Sequence, residues 1–169
     1  MTAVNVLVVF YAIGDDTERL ALTLGVGAIQ AHGNIRLRRL PPRTDGRADA
    51  LTPQQLETRE RMARDYVAPR PADAAWADAV VLAAPADGVG EMKAYVDGLP
   101  AGGIRRGTMA AVLASDALPQ ALRSIEATAV SAGLIVVPPP PSLDTSEARH
   151  AFGRQLVALA RARKAGHTA

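Results

Sequence analysis

One short turn carries the residues best placed for chemistry: Ala12-Ile13-Gly14-Asp15-Asp16-Thr17. It follows the apolar run 4–10, which is nearly continuous and rich in β-branched residues, as in a parallel strand buried on both faces. A helical pattern begins just after the turn, at about Asp16. The free N–H groups and the dipole of a helix start attract anions. The spacing therefore predicts an anion site held by the backbone N–H groups of residues 13–17.

Two features of this turn oppose a bound anion. Asp15 and Asp16 place carboxylates beside it, and their repulsion of a phosphate would cost on the order of a few kcal/mol at intermediate dielectric. Asp15 followed by Glu18 also matches a capping box, in which side chains at the helix start take its free N–H groups. Two interpretations stay open: the turn binds an anionic ligand, or its own acids occupy the donors.

Two further loops, residues 85–90 and 115–119, should lie beside the turn, because open parallel sheets bind ligands at the carboxyl ends of their strands. Tyr11 could stack on a ring there or lie against the sheet. We predict a binding site drawn from all three loops: Tyr11, Ala12, Ile13, Gly14, Asp15, Asp16, Thr17, Pro85, Ala86, Asp87, Gly88, Ser115 and Asp116.

Acidic residues at this edge raise a third interpretation, a metal or small-molecule pocket. The acids are Asp15, Asp16, Asp87 and Asp116, and such a cluster can hold Mg²⁺. Response-regulator receivers, which bind Mg²⁺ in this way, also need a lysine after the last strand, where this chain has four prolines, 138–141. The histidines, His32, His150 and His167, lie far apart and away from acids at a metal-ligand spacing. We therefore predict no metal ligands and no catalytic side chain.

Composition excludes several classes of protein. The formal charge is +2, the pI is about 9.4 and aromatic residues make up 4%, which argues against a nucleic-acid surface. The arginines cluster at 36–47 and near the C-terminus, where we expect solvated strand ends and a basic last helical turn. Without cysteine there is no disulfide or thiolate chemistry. With no membrane span and no signal peptide in the pattern, we expect a cytoplasmic protein, with one domain at 1–165 and a frayed tail at 166–169.

The hydrophobic periodicity predicts strands that alternate with helices. We expect strands at 4–10, 35–40, 79–84, 108–114 and 133–137, and helices at 16–31, 53–64, 91–97 and 118–132. A last helix should begin within 144–147, where the sequence Asp-Thr-Ser-Glu fits a capping box. The segment 43–75 is polar and its role is open. This alternation predicts an α/β fold with a five-stranded parallel sheet in the order 2-1-3-4-5.

Four segments resemble one known family. Residues 6–21 resemble the opening of flavodoxins and of the tryptophan-repressor-binding-protein type of NAD(P)H:quinone oxidoreductase. Residues 76–85 resemble that family's third strand and flavin loop, and Gly90-Glu91-Met92-Lys93-Ala94-Tyr95-Val96-Asp97 resembles its G-x-M-K-x-F-x-D helix. Residues 148–154 resemble its terminal helix, where an Ala-Arg-aromatic and a Gly recur. The resemblance covers most of the chain and is weakest at 43–71.

The resemblance implies a flavodoxin-like three-layer sandwich. It also implies FMN as cofactor, reduction by a nicotinamide donor, quinone acceptors and a homo-oligomer, either a dimer or a tetramer. The chain departs from the family where the flavin would lie: Ala12 replaces a hydroxyl, residues 86–89 have no aromatic, and residues 115–119 are short and acidic. Three hypotheses follow: an oxidoreductase relative with weakened FMN binding, a flavin-free interaction or assembly module, and an acidic-pocket binder.

Overall fold

Apolar, β-branched runs form the centre of a parallel sheet in the computed structural model, which describes residues 3–42, 51–116 and 119–166. The strands are β1 (Val4–Phe10), β2 (Gly33–Arg39), β3 (Ala79–Ala84), β4 (Met109–Ala114) and β5 (Ile135–Val136). The helices are α1 (Asp15–Gln30), α2 (Pro53–Asp65), α3 (Pro71–Trp76), α4 (Val89–Gly98), α5 (Pro119–Ser131) and α6 (Ser146–Gly166).

The sheet has the order β2-β1-β3-β4-β5, and all four pairings are parallel. The predicted fold class and strand order are therefore confirmed. Every residue of β3 is buried, as expected for a central strand covered on both faces. Because side chains alternate along a strand, β1 sends Val6, Val8 and Phe10 into one core and Leu7 and Val9 into the other.

Helices α1 and α6 cover one face of the sheet and approach each other closely at two glycines. A Cβ atom at Gly27 would lie 2.2 Å from the backbone oxygen of His150. A Cβ atom at Gly153 would lie 2.3 Å from the backbone oxygen of Leu24. The terminal-helix glycine that the sequence places at 153 thus has a packing role, because only hydrogen fits between the two backbones.

The first arginine cluster is not a set of solvated strand ends, and that prediction was wrong for its described members. Arg36 and Arg38 both bind the carboxylate of Asp73 on α3, at N–O distances of 3.0 and 2.8 Å. The guanidinium of Arg36 also lies 4.2 Å from the ring centroid of Trp76. These contacts attach α3 to β2, which gives part of the segment 43–75 a structural role.

Several element boundaries differ from the predictions. Helix α3 was missed, because six residues are too few to show a helical period. Strand β5 is only two residues long, although Leu134 and Val137 beside it are buried. Helix α6 begins with a hydroxyl cap, in which Thr145 accepts from the N–H of Ala148, but alanine at 148 cannot complete the predicted capping box.

Some predictions fall on residues outside the described ranges: Arg43, Arg47, Leu118 and residues 167–169. Gly166, the first residue of the predicted tail, is the last residue of α6. Within those ranges, none of the helices combines the length and the apolar character that crossing a membrane requires.

Candidate functional site at the carboxyl edge of the sheet

Three loops meet at the carboxyl edge of the sheet, as the sequence predicts. The turn 11–14 follows β1, a single 3-10 turn at Ala86–Gly88 follows β3, and Ser115 and Asp116 follow β4. Side-chain contacts join these loops. The Thr17 hydroxyl donates to the Ser115 hydroxyl oxygen at 2.8 Å, and the Asp116 carboxylate accepts from the N–H of Ala86. The third loop is therefore tied to both of the others.

The start of α1 has no side-chain cap, and the predicted capping box is wrong. Gly14 is the N-cap residue, in extended conformation, so Asp15 stands one position too late to act as the cap. Residues 14–16 are exposed. The acids of the turn therefore do not cap the helix, and its first N–H groups have no side-chain acceptor.

The carboxylate of Glu18 turns away from the helix start and binds α2. Both of its oxygens accept from Arg61, at 3.0 and 2.6 Å, and the Tyr66 hydroxyl donates to one of them. Asp15 also contacts Arg61, at 3.3 Å. Glu18 is only 6% exposed, so this ion pair fastens α2 against the first turn of α1.

These contacts shift the ionisation of the cluster. The hydrogen bond from Arg61 lowers the pKa of Glu18 below its usual 4.5, against the opposing effect of burial and with help from Tyr66. Burial and the hydrogen bond to Glu18 raise the pKa of Tyr66, so the phenol stays protonated at neutral pH. The cluster at neutral pH is thus an anionic Glu18 between a cation and a neutral donor.

Replacing Glu18 with glutamine is expected to lower the free energy of unfolding by about 2 kcal/mol at neutral pH, since hydrogen bonds to charged groups contribute this much. The folded pKa of Glu18 is lowered, so its contribution is present above the usual value of 4.5 and is lost as the pH falls through the folded pKa. Urea unfolding between pH 7 and pH 3 should show the wild-type advantage shrinking in acid. Glu60→Gln, at an exposed site on the same helix as Arg61, should show no such advantage at any pH; equal losses in both variants would contradict the assignment.

A buried cation, Arg39, supports the turn from the end of β2. Its side chain donates to the backbone oxygen of Ala12 at 3.3 Å, and the residue is 5% exposed. Its Nε atom has no hydrogen-bond partner among the described residues. Burial, and secondly the charge of Arg59, lowers the pKa of Arg39, but an arginine keeps its proton at neutral pH. Arg39 and Arg61 thus offset part of the acidic charge that the sequence places at this turn.

Tyr11 lies against the protein and not toward solvent. It is buried, and its ring fills the space beside Gly88, where a Cβ atom would lie 2.3 Å from the Tyr11 ring. The Tyr11 ring therefore packs against the second loop and is not free to stack on a ligand. No aromatic side chain stands in the described part of the second and third loops, residues 85–89 and 115–116.

A groove of about 540 Å³ opens beside the turn, between α1 and the proline segment, residues 138–141. Its polar lining includes Asp16, Arg19, Ser115, Asp144 and Arg149. The four acids that raised the metal hypothesis do not form a metal centre. The described ranges contain no group of three or more histidine, cysteine, aspartate or glutamate side chains able to hold a metal ion. Asp116 and Asp15 instead bind a backbone N–H group and Arg61.

A second, smaller groove of about 240 Å³ lies at the opposite, amino edge of the sheet. It is basic, and two of its cations have a structural role, because Arg105 and Lys164 both bind the buried carboxylate of Asp78. Burial alone would raise the pKa of Asp78, but the contacts with Lys164, the Asn5 N–H and Arg105 lower it. This clamp joins the last turn of α6 to the start of β3, beyond the dipole role predicted for these basic residues.

Sequence reasoning found the three loops and missed the residues that tune their charge. Arg39 was placed with the solvated arginines, and Arg61 and Tyr66 lay in a segment without an assigned role. Tyr66 packs edge-on against Phe10, with ring centroids 5.0 Å apart. The groups that these residues bind at the turn, in Ala12 and Glu18, stand 27 to 48 positions away, so no local pattern could have revealed the contacts.

The parallel sheet with its switch in strand order, and the ligand edge at that switch, define a doubly wound α/β protein. Comparison with solved structures identifies which doubly wound fold this is. A flavodoxin from the domain Archaea matches with a TM-score of 0.62 and 11% identity, over 93% of this chain and 99% of that one. A Streptococcus pneumoniae TIGR4 flavodoxin matches with a TM-score of 0.60 and 13% identity, over 91% and 98%. This chain has the flavodoxin-like fold.

An NAD(P)H:quinone oxidoreductase from Methanothermobacter marburgensis has the same fold, with a TM-score of 0.50 and 14% identity, over 95% of this chain and 98% of that one. At these identities the likeness concerns the fold. The sequence itself matches no protein-family model and no curated relative.

Proposed function

We propose that this chain is a flavodoxin-fold relative of the FMN-dependent NAD(P)H:quinone oxidoreductases that keeps the phosphate half of the flavin site and binds FMN weakly. The start of α1 carries the proposal, because it has no side-chain cap and residues 14–16 are exposed. Of the acids beside it, Asp15 and Glu18 contact Arg61, and Asp16 lines the adjacent groove. Arg39 adds a buried positive charge behind Ala12. This combination favours a phosphate monoester.

The ring half of the site does not fit a flavin. The described loop residues offer no aromatic surface, and Asp116 holds the N–H of Ala86 between the two loops where the resemblance would place the ring. We therefore assign no chemical step to a flavin. The nicotinamide donor, the quinone acceptor and the homo-oligomer that the resemblance implies remain part of the proposal, and so does the cytoplasmic location expected from the sequence pattern.

One observation favours a second candidate, the flavin-free interaction or assembly module. The contacts Thr17–Ser115 and Asp116–Ala86 join the three loops to one another through the chain's own groups, so a cofactor is not needed to connect them. Such a module would use the surface of the fold to bind a partner protein. It differs from the first candidate in one testable way, because it does not require phosphate to bind the turn.

The Gly14→Asp variant tests the proposal. A Cβ atom at Gly14 meets nothing within 4 Å and the backbone there is extended, so the aspartate fits and its carboxylate can cap α1. Folding stability should stay level or rise by a few tenths of a kcal/mol. Inorganic phosphate and FMN, titrated by calorimetry and by their effect on melting temperature, should bind the wild type and bind Gly14→Asp at least tenfold more weakly.

Gly166→Asp is the matched control, since it adds the same charge at the end of α6, where a Cβ atom also meets nothing within 4 Å. It should bind phosphate as the wild type does. If the wild type shows no saturable phosphate or FMN binding, the proposal is wrong and the flavin-free module stands. Equal weakening in both variants would show a general charge effect and would also contradict a site at the turn.

A further inference from the structure

We infer that Asp116 is a specificity-determining residue, which keeps a planar flavin ring out of the carboxyl edge while the turn at 12–17 accepts phosphate-bearing ligands that lack such a ring. The inference rests on the proposed phosphate site and assigns it a ligand class. It begins from one contact: the carboxylate oxygens of Asp116 lie 2.9 and 3.1 Å from the backbone nitrogen of Ala86.

The register of the sheet makes this contact a bridge between loops. Strands β3 and β4 are direct neighbours, with Ala84 aligned with Ala114. Ala86 stands two residues after Ala84 and Asp116 two residues after Ala114, so they occupy equivalent positions in the two neighbouring loops. The Asp116 side chain reaches sideways across the space between them. A planar ring lying over these two strand ends would have to displace this side chain.

The chemistry of the contact opposes a flavin in two ways. A flavin ring presents carbonyl oxygens and ring nitrogens that accept hydrogen bonds, and the N–H of Ala86 is a donor that the carboxylate already takes. The carboxylate also places a negative charge beside the ring position, which disfavours a reduced, anionic flavin. A phosphate on the turn meets neither obstacle, because its donors are those of α1.

The rest of a ringless ligand has another place to lie. The groove of about 540 Å³ begins at Asp16 and Ser115, beside the turn, and runs toward the proline segment. Its walls combine apolar residues, among them the prolines 139–141, with Arg19, Asp144 and Arg149, which can form hydrogen bonds with a ligand. The ligand class that fits turn and groove together is a phosphate ester without a planar ring.

The test compares the wild type with Asp116→Ala, Asp116→Asn and Asp97→Ala, using FMN, riboflavin and inorganic phosphate as probes. Asp97 is exposed near the end of α4 and serves as the matched loss of one charge. Asp116 is exposed as well, so all variants should melt within a few degrees of the wild type. Flavin affinity is read by fluorescence quenching, and phosphate affinity by calorimetry.

Asp116→Ala should bind FMN and riboflavin at least tenfold more tightly than the wild type, a change of about 1.4 kcal/mol, with phosphate affinity changed by less than about twofold. Asp116→Asn keeps an acceptor oxygen on the Ala86 N–H and should gain less than Asp116→Ala. Asp97→Ala should match the wild type for every probe.

Unchanged flavin affinity in Asp116→Ala would overturn the inference, as would an equal gain for phosphate or an equal gain in Asp97→Ala. Riboflavin separates this outcome from failure of the proposed function, because it has a ring and no phosphate. A riboflavin gain in Asp116→Ala with no phosphate binding in any protein would support ring exclusion by Asp116 and reject the phosphate site.

Discussion

The Gly153→Ala variant is expected to unfold with a free energy about 3 kcal/mol lower than the wild type. The added Cβ atom would lie 2.3 Å from the Leu24 oxygen and 2.9 Å from the Ala28 nitrogen, and both are backbone atoms of α1. A flexible side chain could move aside, but here the two helices must separate. Overpacking usually costs about 1–3 kcal/mol and occasionally more. Because two backbones must separate here, we expect a cost of about 4 kcal/mol, of which alanine's better helix propensity returns about 1 kcal/mol.

Thermal and urea unfolding measure this loss, which corresponds to a fall in melting temperature of about 6–12 °C for a domain of this size. Gly90→Ala is the matched control, because it makes the same substitution in α4, where a Cβ atom meets nothing within 4 Å. It should be neutral or stabilising by less than about 1 kcal/mol. Equal effects of the two substitutions would mean that α1 and α6 do not touch at Gly153.

Replacement of Asp73 by alanine is expected to cost about 3–4 kcal/mol, the second of the two largest effects. Asp73 is 2% exposed and accepts from Arg36, from Arg38 and from the backbone N–H of Arg70. Removing one partner of a buried ion pair leaves the others without compensation, and this is strongly destabilising. The loss should detach α3 from β2.

Urea unfolding measures the effect, with Asp65→Ala as control. Asp65 makes an exposed contact with Arg61 four residues away, and its loss should cost less than about 0.5 kcal/mol. Burial alone would raise the pKa of Asp73, but Arg38 and the Arg70 N–H lower it, so the Asp73 contribution is present above the usual value of 3.8 and fades below it. A loss for Asp73→Ala no larger than that for Asp65→Ala would contradict the buried clamp.

Local pattern was enough to predict the fold. The runs at β1 and β3 are long, apolar and sharply ended, and their predicted bounds agree with the structure. The parallel order follows from alternation with helices, because parallel strands need crossovers. The predictions were wrong for the shortest elements, where the sequence pattern is weakest: α3 has six residues and β5 has two.

The position of the candidate site could be predicted from the sequence, but the ion pairs of its acidic residues could not. Carboxyl ends of neighbouring strands must meet, so the three loops were found. Whether Asp15 and Glu18 cap α1 depended on a shift of one residue in the helix start and on Arg61, which lies 43 positions from Glu18. Pairing at that distance depends on how α2 packs against α1, and no spacing along the chain encodes it.

Backbone amide shifts during a phosphate titration test the central claim most directly. In ¹H–¹⁵N spectra of the wild type, an open anion site at the start of α1 predicts saturable shifts for the N–H groups of residues 13–17, and the loss of these shifts in Gly14→Asp. The Ala86 amide, held by Asp116, should move little. Saturable shifts confined to the basic groove at residues 105–108, or no saturable shifts at 13–17, would contradict the claim.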